Sequence, residues 1–180
     1  NKFGIDQSEI LEIYQKASNM NGVNIIGIDF HIGSQITDVK PFEESVLKIV
    51  SIVKTLQKNN IILSHIDIGG GLGIKYHNEI KPDKNTFISS IIKLLQPYDV
   101  TILIEPGRSI VGEAGLLISK VLNTKKTTSK EFIIVDAGMN DLLRPPLYDA
   151  YHQIKEVKRN NDGKVLCDVV GPVCETADFL

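Results

Sequence analysis

Apolar residues before position 100 recur at helical spacing in three segments, and each segment predicts an amphipathic helix. The longest stripe follows Pro41, a residue suited to a first helical turn, and consists of Phe42, Val46, Ile49, Val50, Val53 and Leu56. An earlier stripe at residues 10–17 follows Asp6 and Glu9, whose spacing indicates a capping box. A third helix is predicted near residues 85–95.

Three apolar runs rich in β-branched residues separate these helices and predict strands. The runs are residues 23–30, which are expected to be covered on both faces, 61–68 and 100–104. The residues at or just beyond their ends, His31, Gly69 and Glu105, recur about every 37 positions, enough for one strand, one helix and two loops. The alternation indicates an α/β fold in which polar and glycine residues gather at the carboxyl ends of parallel strands. Barrels and open parallel sheets bind their ligands there.

The pattern changes after Arg108. Residues 115–122, 131–135 and 164–170 are strand-like, and residues 147–157 form one weak helical stretch. We therefore predict a domain boundary near Gly112, with domains at 1–112 and 113–180. A full (β/α)8 barrel needs eight units and about 250 residues, whereas three units are visible. We expect a fragment: the C-terminal part of a barrel, followed by part of a β-sandwich or β-barrel domain.

Composition narrows the class of ligand. The 180 residues are 42% apolar and 23% charged, and the net charge of -2 provides no basic field for nucleic acid or anionic lipid. No apolar run approaches the roughly 20 residues of a membrane span, and residues 1–6 show no secretory pattern, so the parent protein is expected to be cytoplasmic. Cys167 and Cys174 lack the paired spacing of a zinc site, and no metal is expected.

The glycine run at the second strand end has two interpretations. Glycines such as Gly69, Gly70 and Gly71 let backbone N–H groups approach a phosphate without Cβ interference. The dinucleotide fingerprint fails because Ile74 stands where it needs glycine, and no P-loop Gly-Lys-Ser/Thr follows. The run is either a phosphate cradle or a tight turn.

The other strand ends carry polar side chains. His31 and Ser34 offer a ring and a hydroxyl on the ligand-binding face, although a structural histidine is the alternative. Glu105 and Arg108 share a Glu-Pro-Gly-Arg turn, for which the alternative is a surface ion pair worth about 0–1 kcal/mol.

Two later segments carry candidate functional groups, and their apolar residues show no simple helical or strand periodicity, as in many loops that carry function. Arg144 and Tyr148 are separated by a Pro-Pro step that we expect to prevent a regular helix. Cys174 and Glu175 place a thiol beside a carboxylate after a strand, although a single cysteine in such a place is more often inert.

Taken together, these motifs resemble the diaminopimelate decarboxylase family, which belongs to the pyridoxal-phosphate-dependent decarboxylases with an alanine-racemase-like barrel. The resemblance rests on HIGSQ at 31–35, GGGLG at 69–73, EPGR at 105–108, DAGMNDLLRP at 136–145, LYDA at 147–150 and GPVCE at 171–175. It covers residues 2–178, in the family's order and spacing. Glu113, Pro146 and the pair Thr176-Ala177 depart from the usual residues without removing a functional group.

The resemblance implies a lyase of lysine biosynthesis that decarboxylates meso-2,6-diaminopimelate to L-lysine with pyridoxal 5'-phosphate. It also implies a head-to-tail homodimer with active sites at the interface. The family's Schiff-base lysine and a late tyrosine of the phosphate site lie outside this sequence, so the chain alone is expected to be inactive.

The resemblance also implies the roles of individual residues. The expected catalytic residues are His31, which stacks on the cofactor ring, Glu105, which holds the proton on the ring nitrogen, and Cys174, which returns a proton to Cα across the dimer interface. The residues expected around the phosphate are Ser34, Gly69, Gly70, Gly71, Pro106, Gly107 and Arg108. Substrate carboxylate is expected to bind Arg108, Arg144 and Tyr148, and the distal ammonium to bind Glu175.

Two alternatives stay open. One is a related decarboxylase of a polyamine precursor such as carboxynorspermidine, with the same cofactor apparatus. The other is a non-catalytic homologue that regulates a true decarboxylase. Arg144 and Glu175 favour a substrate with a distal zwitterion, and the retained Cys174 favours an enzyme.

Overall fold

The computed structural model describes residues 2–158 and 163–180, and the chain divides into two compact units. Unit 1 comprises residues 1–75 and 79–114, and unit 2 comprises residues 76–78 and 115–180. In the described ranges, no helix is both long and apolar enough to cross a membrane.

Unit 1 is a parallel three-stranded sheet with helices in the connections. Its elements are α1 (Ile10–Ser18), β1 (Gly27–Asp29), α2 (Lys40–Lys58), β2 (His65–Gly70), α3 (Lys84–Leu95), β3 (Thr101–Glu105) and α4 (Gly107–Val111). The strand order is β1-β2-β3, with Ile66 paired to Ile28 on one side and to Ile102 on the other. The predicted alternation of three strands with helices, and the α/β class, are confirmed.

The core of unit 1 lies between the sheet and helices α2 and α3. The six predicted apolar residues of α2 are all buried, and Phe42 meets Phe87 of α3 edge-on with ring centroids 4.9 Å apart. On the sheet, Ile66 and Ile68 are fully buried, each contributing about 1.5–3 kcal/mol. The third predicted helix begins at Lys84, where the Asp83 carboxylate accepts the backbone N–H of Thr86.

Three predictions for unit 1 are wrong in detail. No capping box starts α1, because Glu9 makes no side-chain capping bond and the Asp6 carboxylate accepts the backbone N–H of Ser8. The first strand covers only Gly27–Asp29 and is not buried on both faces: alternate residues point to opposite faces, so Ile28 is buried while Asp29 is exposed. The second strand is shifted from 61–68 to His65–Gly70.

Unit 2 contains a second three-stranded sheet. Its elements are β4 (Val121–Lys126), β5 (Glu131–Val135), α5 (Arg144–Tyr148) and β6 (Asp168–Val170). Strands β4 and β5 are antiparallel and joined by a turn in which the Thr127 N–H donates to the Lys130 carbonyl oxygen. Strand β6 pairs parallel to β5. The predicted strand at residues 131–135 is confirmed at both ends.

The other unit 2 predictions need correction. The strand predicted at 115–122 lies at Val121–Lys126, and the one predicted at 164–170 is confined to Asp168–Val170. The helix lies at Arg144–Tyr148, not at 147–157, so the Pro-Pro step does not prevent a helix. The prolines occupy the first turn, where a missing N–H costs no helical bond.

Candidate functional site

The loops after β1 and β2 are joined by backbone hydrogen bonds. The Ile36 N–H donates to the Gly71 carbonyl oxygen at 2.9 Å, and the Gly73 N–H donates to the Ile36 carbonyl oxygen at 2.8 Å. His31 Nδ1 accepts the backbone N–H of Gly70 at 3.3 Å. The parallel sheet therefore brings together two predicted site residues that are 39 positions apart.

The glycine run is required by close backbone approach. Gly69 and Gly71 adopt positive φ values of 69° and 93°, which favour glycine. A Cβ on Gly70 would collide with the carbonyl oxygen of Glu105, and one on Gly71 with that of Gly33. The backbone of residues 69–71 can approach its neighbours this closely only because glycine has no side chain. This requirement is the same for any ligand that the loop binds.

Three carboxylates cluster on one face of the sheet. Asp29 and Asp67 are direct neighbours in the β1–β2 register, and with Glu105 they place carboxylate oxygens within 4.8 Å of one another. Sequence reasoning assigned Glu105 and missed the two aspartates, whose signal is a charge inside an apolar run: Ile-Asp-Phe and Ile-Asp-Ile. The cluster places Glu105 among negatively charged groups that attract a cationic partner, which suits the role predicted for Glu105.

The remaining predicted cofactor residues of unit 1 are found at or next to the strand ends. Ser34 is exposed in the loop after β1. Pro106 precedes α4, and its carbonyl oxygen accepts the Ser109 N–H at 2.9 Å, which closes the turn that contains Gly107. Arg108 Nη1 donates to Gln35 Oε1 at 3.2 Å. Gln35 was part of a recognised motif but received no role from the sequence.

Arg144 and Tyr148 of unit 2 are brought together by the short helix α5. The guanidinium carbon of Arg144 lies 5.1 Å from the centroid of the Tyr148 ring, a cation–π geometry. Arg144 Nε is buried and has no hydrogen-bond partner among the residues that the structure describes. An unpaired buried donor costs about 1–3 kcal/mol, so this nitrogen is suited to an anionic ligand.

Cys174 and Glu175 are both exposed. Glu175 Oε1 accepts the Thr176 hydroxyl at 2.9 Å. This bond, followed by backbone N–H groups of Ala177 and Thr176, lowers the pKa of Glu175 below its ordinary value. Thr176 departs from the family pattern, yet its hydroxyl bonds to the Glu175 carboxylate and is the largest cause of the lowered pKa.

Asp178 is a residue that sequence reasoning missed. Its side chain is buried, with 3% of the residue exposed, and it accepts the backbone N–H groups of Met139 at 2.6 Å and Val173 at 2.8 Å. It thereby ties the loop that leads to α5 to the loop that carries Cys174. No period or motif marked it, because its role depends on a tertiary contact.

Residues 1–112 match the family described as pyridoxal-dependent decarboxylase, pyridoxal binding domain, and the chain belongs to this family. Within it, the chain is 48% identical to the diaminopimelate decarboxylase of Aquifex aeolicus over 180 residues, which are 99% of this chain and 43% of that protein. The resemblance inferred from the motifs is confirmed.

Solved structures give the same relationship. A crystal structure of diaminopimelate decarboxylase from Helicobacter pylori complexed with L-lysine superposes with a TM-score of 0.93 at 45% identity, covering 99% of this chain and 44% of that one. A lysine/ornithine decarboxylase from Vibrio vulnificus complexed with cadaverine gives a TM-score of 0.89 at 26% identity, covering 99% of this chain and 49% of that one. The chain spans less than half the length of these relatives.

Proposed function

We propose that this chain is part of a diaminopimelate decarboxylase that converts meso-2,6-diaminopimelate to L-lysine and carbon dioxide. The observation that carries the substrate assignment is the buried Nε of Arg144, which has no hydrogen-bond partner within residues 2–158 and 163–180 and calls for an anion such as the carboxylate of the substrate's distal centre. The higher identity to diaminopimelate decarboxylases than to a lysine/ornithine decarboxylase supports the same assignment.

We further infer that the sheet of unit 1 is part of a (β/α)8 barrel and that unit 2 is part of a β domain, with domains at 1–112 and 113–180. Parallel strands with intervening helices, and polar residues at the carboxyl ends of the strands, support the barrel. A cytoplasmic homodimer with active sites at the interface completes the proposal.

The residues at the strand ends of unit 1 fit pyridoxal phosphate, the cofactor of the family. The bound cofactor supplies an electron sink for the carbanion that forms at Cα when carbon dioxide leaves. Glu105 would hold the proton on the ring nitrogen, with the carboxylates of Asp29 and Asp67 beside it. His31 would stack on the ring. The residues proposed around the phosphate are Ser34, Gly69, Gly70, Gly71, Pro106, Gly107 and Arg108.

Unit 2 supplies groups for the substrate. Arg108, Arg144 and Tyr148 are the residues proposed to bind substrate carboxylate, and the exposed carboxylate of Glu175, held by the Thr176 hydroxyl, is proposed to bind the distal ammonium. Cys174 returns a proton to Cα after carbon dioxide departs, acting across the dimer interface.

The experiment that tests the proposal is Arg144→Met in the complete enzyme. Losing a charge-assisted hydrogen-bond partner should raise KM for diaminopimelate about 10- to 100-fold and reduce the discrimination against lysine, which lacks the distal carboxylate. Lys93→Met, an exposed cation on α3, is the control. A KM within twofold of the wild-type value would remove Arg144 from substrate recognition.

A further inference from the structure

Gln35 lies where the loops that follow all three strands of unit 1 meet. Its Nε2 donates to the Ile74 carbonyl oxygen at 2.6 Å, and its Oε1 accepts the Ile74 N–H at 3.2 Å. The same Oε1 accepts Nη1 of Arg108 at 3.2 Å. One amide therefore links the loop after β1 to the loop after β2 and to α4.

The backbone of Gln35 is held in an unfavourable conformation. Its φ of 60° lies in the left-handed region, which residues other than glycine seldom adopt. Such a residue persists where its surroundings fix it, and these positions concentrate at functional sites. Here the surroundings are the paired hydrogen bonds to Ile74 and the backbone bonds of the adjacent Ile36.

The amide of Gln35 is also an appropriate partner for Arg108, a cation that is proposed to bind a ligand. A carboxylate at position 35 would form an ion pair with Arg108 and neutralise it, whereas an amide oxygen accepts the guanidinium N–H and leaves the charge in place. The guanidinium of Arg108 is planar and its N–H donors have a fixed geometry, so the bond from Nη1 to Gln35 Oε1 helps to set the orientation of the whole group.

We propose that Gln35 is a positioning residue that acts through Arg108. Its amide ties the guanidinium to the backbone of Ile74 and so fixes it where it binds an oxyanion, either the cofactor phosphate or a substrate carboxylate. The inference rests on the proposed function, which assigns Arg108 to these two ligands. Without Gln35 the guanidinium of Arg108 loses the bond to the Gln35 amide, so more of the cost of orienting it falls on ligand binding, which weakens that binding.

A double-mutant cycle in the complete holoenzyme tests this role. Gln35→Met, Arg108→Met and the double variant are compared for the dissociation constant of pyridoxal phosphate and for KM and kcat with diaminopimelate. Gln35→Met should weaken one ligand about 10-fold and Arg108→Met about 100-fold, while the double variant should match Arg108→Met within twofold. A change in cofactor dissociation identifies the phosphate as the ligand, and a change in KM alone identifies the carboxylate.

Two further variants make the test specific. Gln35→Glu keeps an acceptor for Arg108 but neutralises its charge and loses the donor to the Ile74 carbonyl oxygen, so it should weaken the same ligand at least as much as Gln35→Met. Gln15→Met, the same change at an exposed amide on α1 that bonds only Asn59 among the contacts described, should alter neither constant.

The outcomes separate the inference from the proposed function. The role of Gln35 alone would be overturned if the effects of Gln35→Met and Arg108→Met multiplied in the double variant. It would also be overturned if Gln35→Met or Gln35→Glu bound both ligands with wild-type affinity. If Arg108→Met itself changed neither ligand, the assignment of Arg108 in the proposed function would fall, and the inference with it.

Discussion

The two units hold their candidate residues in different ways. In unit 1 the residues stand at the ends of hydrogen-bonded parallel strands, the loops after β1 and β2 are joined by backbone bonds, and Arg108 bonds to Gln35 of the first loop. In unit 2 the loop that leads to Arg144 and the loop that carries Cys174 are tied by the carboxylate of Asp178. In unit 1 many hydrogen bonds of the sheet together position the candidate residues, whereas the unit 2 loops depend strongly on the side chain of Asp178.

The largest effect on turnover is expected in unit 2, where the proposed proton donor can be replaced without changing the residues proposed to bind the cofactor. Cys174→Ala in the complete enzyme should lower kcat by about 10²- to 10⁴-fold, the contribution of a positioned general acid. The thiol is exposed, so its loss should leave cofactor absorbance and the melting temperature unchanged. Unchanged turnover would remove Cys174 from the mechanism.

A smaller loss of turnover, about 100-fold, is expected from the matching change in unit 1. Glu105→Gln keeps the size of the side chain but cannot stabilise a proton on the ring nitrogen by charge, so it should act on kcat more than on substrate affinity. Steady-state kinetics separate an effect on kcat from an effect on substrate affinity. A raised KM at wild-type kcat would contradict the role assigned to Glu105.

Asp178→Asn tests the dependence of unit 2 on one carboxylate. In the variant, an amide NH2 replaces one carboxylate oxygen and faces a backbone N–H that the oxygen had accepted. A buried donor is then left unpaired, so the free energy of unfolding should fall by about 1–3 kcal/mol. Turnover should fall with it, because the loops that carry Arg144 and Cys174 are released. Denaturant unfolding measures the first effect and kcat the second.

The control for this variant is Asp168→Asn in the same unit. Its carboxylate pairs with Lys130 at 2.8 Å on the surface, so its loss should cost only about 0–1 kcal/mol. Equal effects at the two positions would show that Asp178 has no special role.

The smallest expected effect concerns protonation in unit 2. Thr176→Val removes the hydroxyl that stabilises ionised Glu175, so the pKa of Glu175 should rise toward its ordinary value. Substrate affinity is lost as pH falls through this pKa, and the loss should therefore begin at a higher pH. Thr176→Ser keeps the hydroxyl and should retain the wild-type profile. A titration of Glu175 followed by NMR that gave the same pKa in all three proteins would contradict the cause assigned here.

The sequence predicted what depends on local pattern. The apolar stripe of α2 was predicted residue by residue because burial against a sheet imposes helical periodicity. The strand ends that carry His31, Gly70 and Glu105 were found for a related reason, since an apolar run stops where the chain leaves the sheet. The pairing of β1 with β2 and of β2 with β3 then brought these positions together.

The residues that were missed act through tertiary contacts. Gln35 and Asp178 bond to groups far away in the sequence, and neither sits in a periodic pattern. Asp29 was hidden because its run was interpreted as a strand buried on both faces, and Asp67 because it lies inside a run that was interpreted only as a strand. The Pro-Pro step before Leu147 was misjudged because a proline breaks a helix interior but not its first turn.

The most direct test of the proposed function is the conversion of meso-2,6-diaminopimelate by the purified complete protein. With pyridoxal phosphate bound, L-lysine and carbon dioxide should form in equal amounts, and carboxynorspermidine should react with a kcat/KM at least 100-fold lower. A protein that bound the cofactor and formed no lysine, or that preferred carboxynorspermidine, would contradict the account.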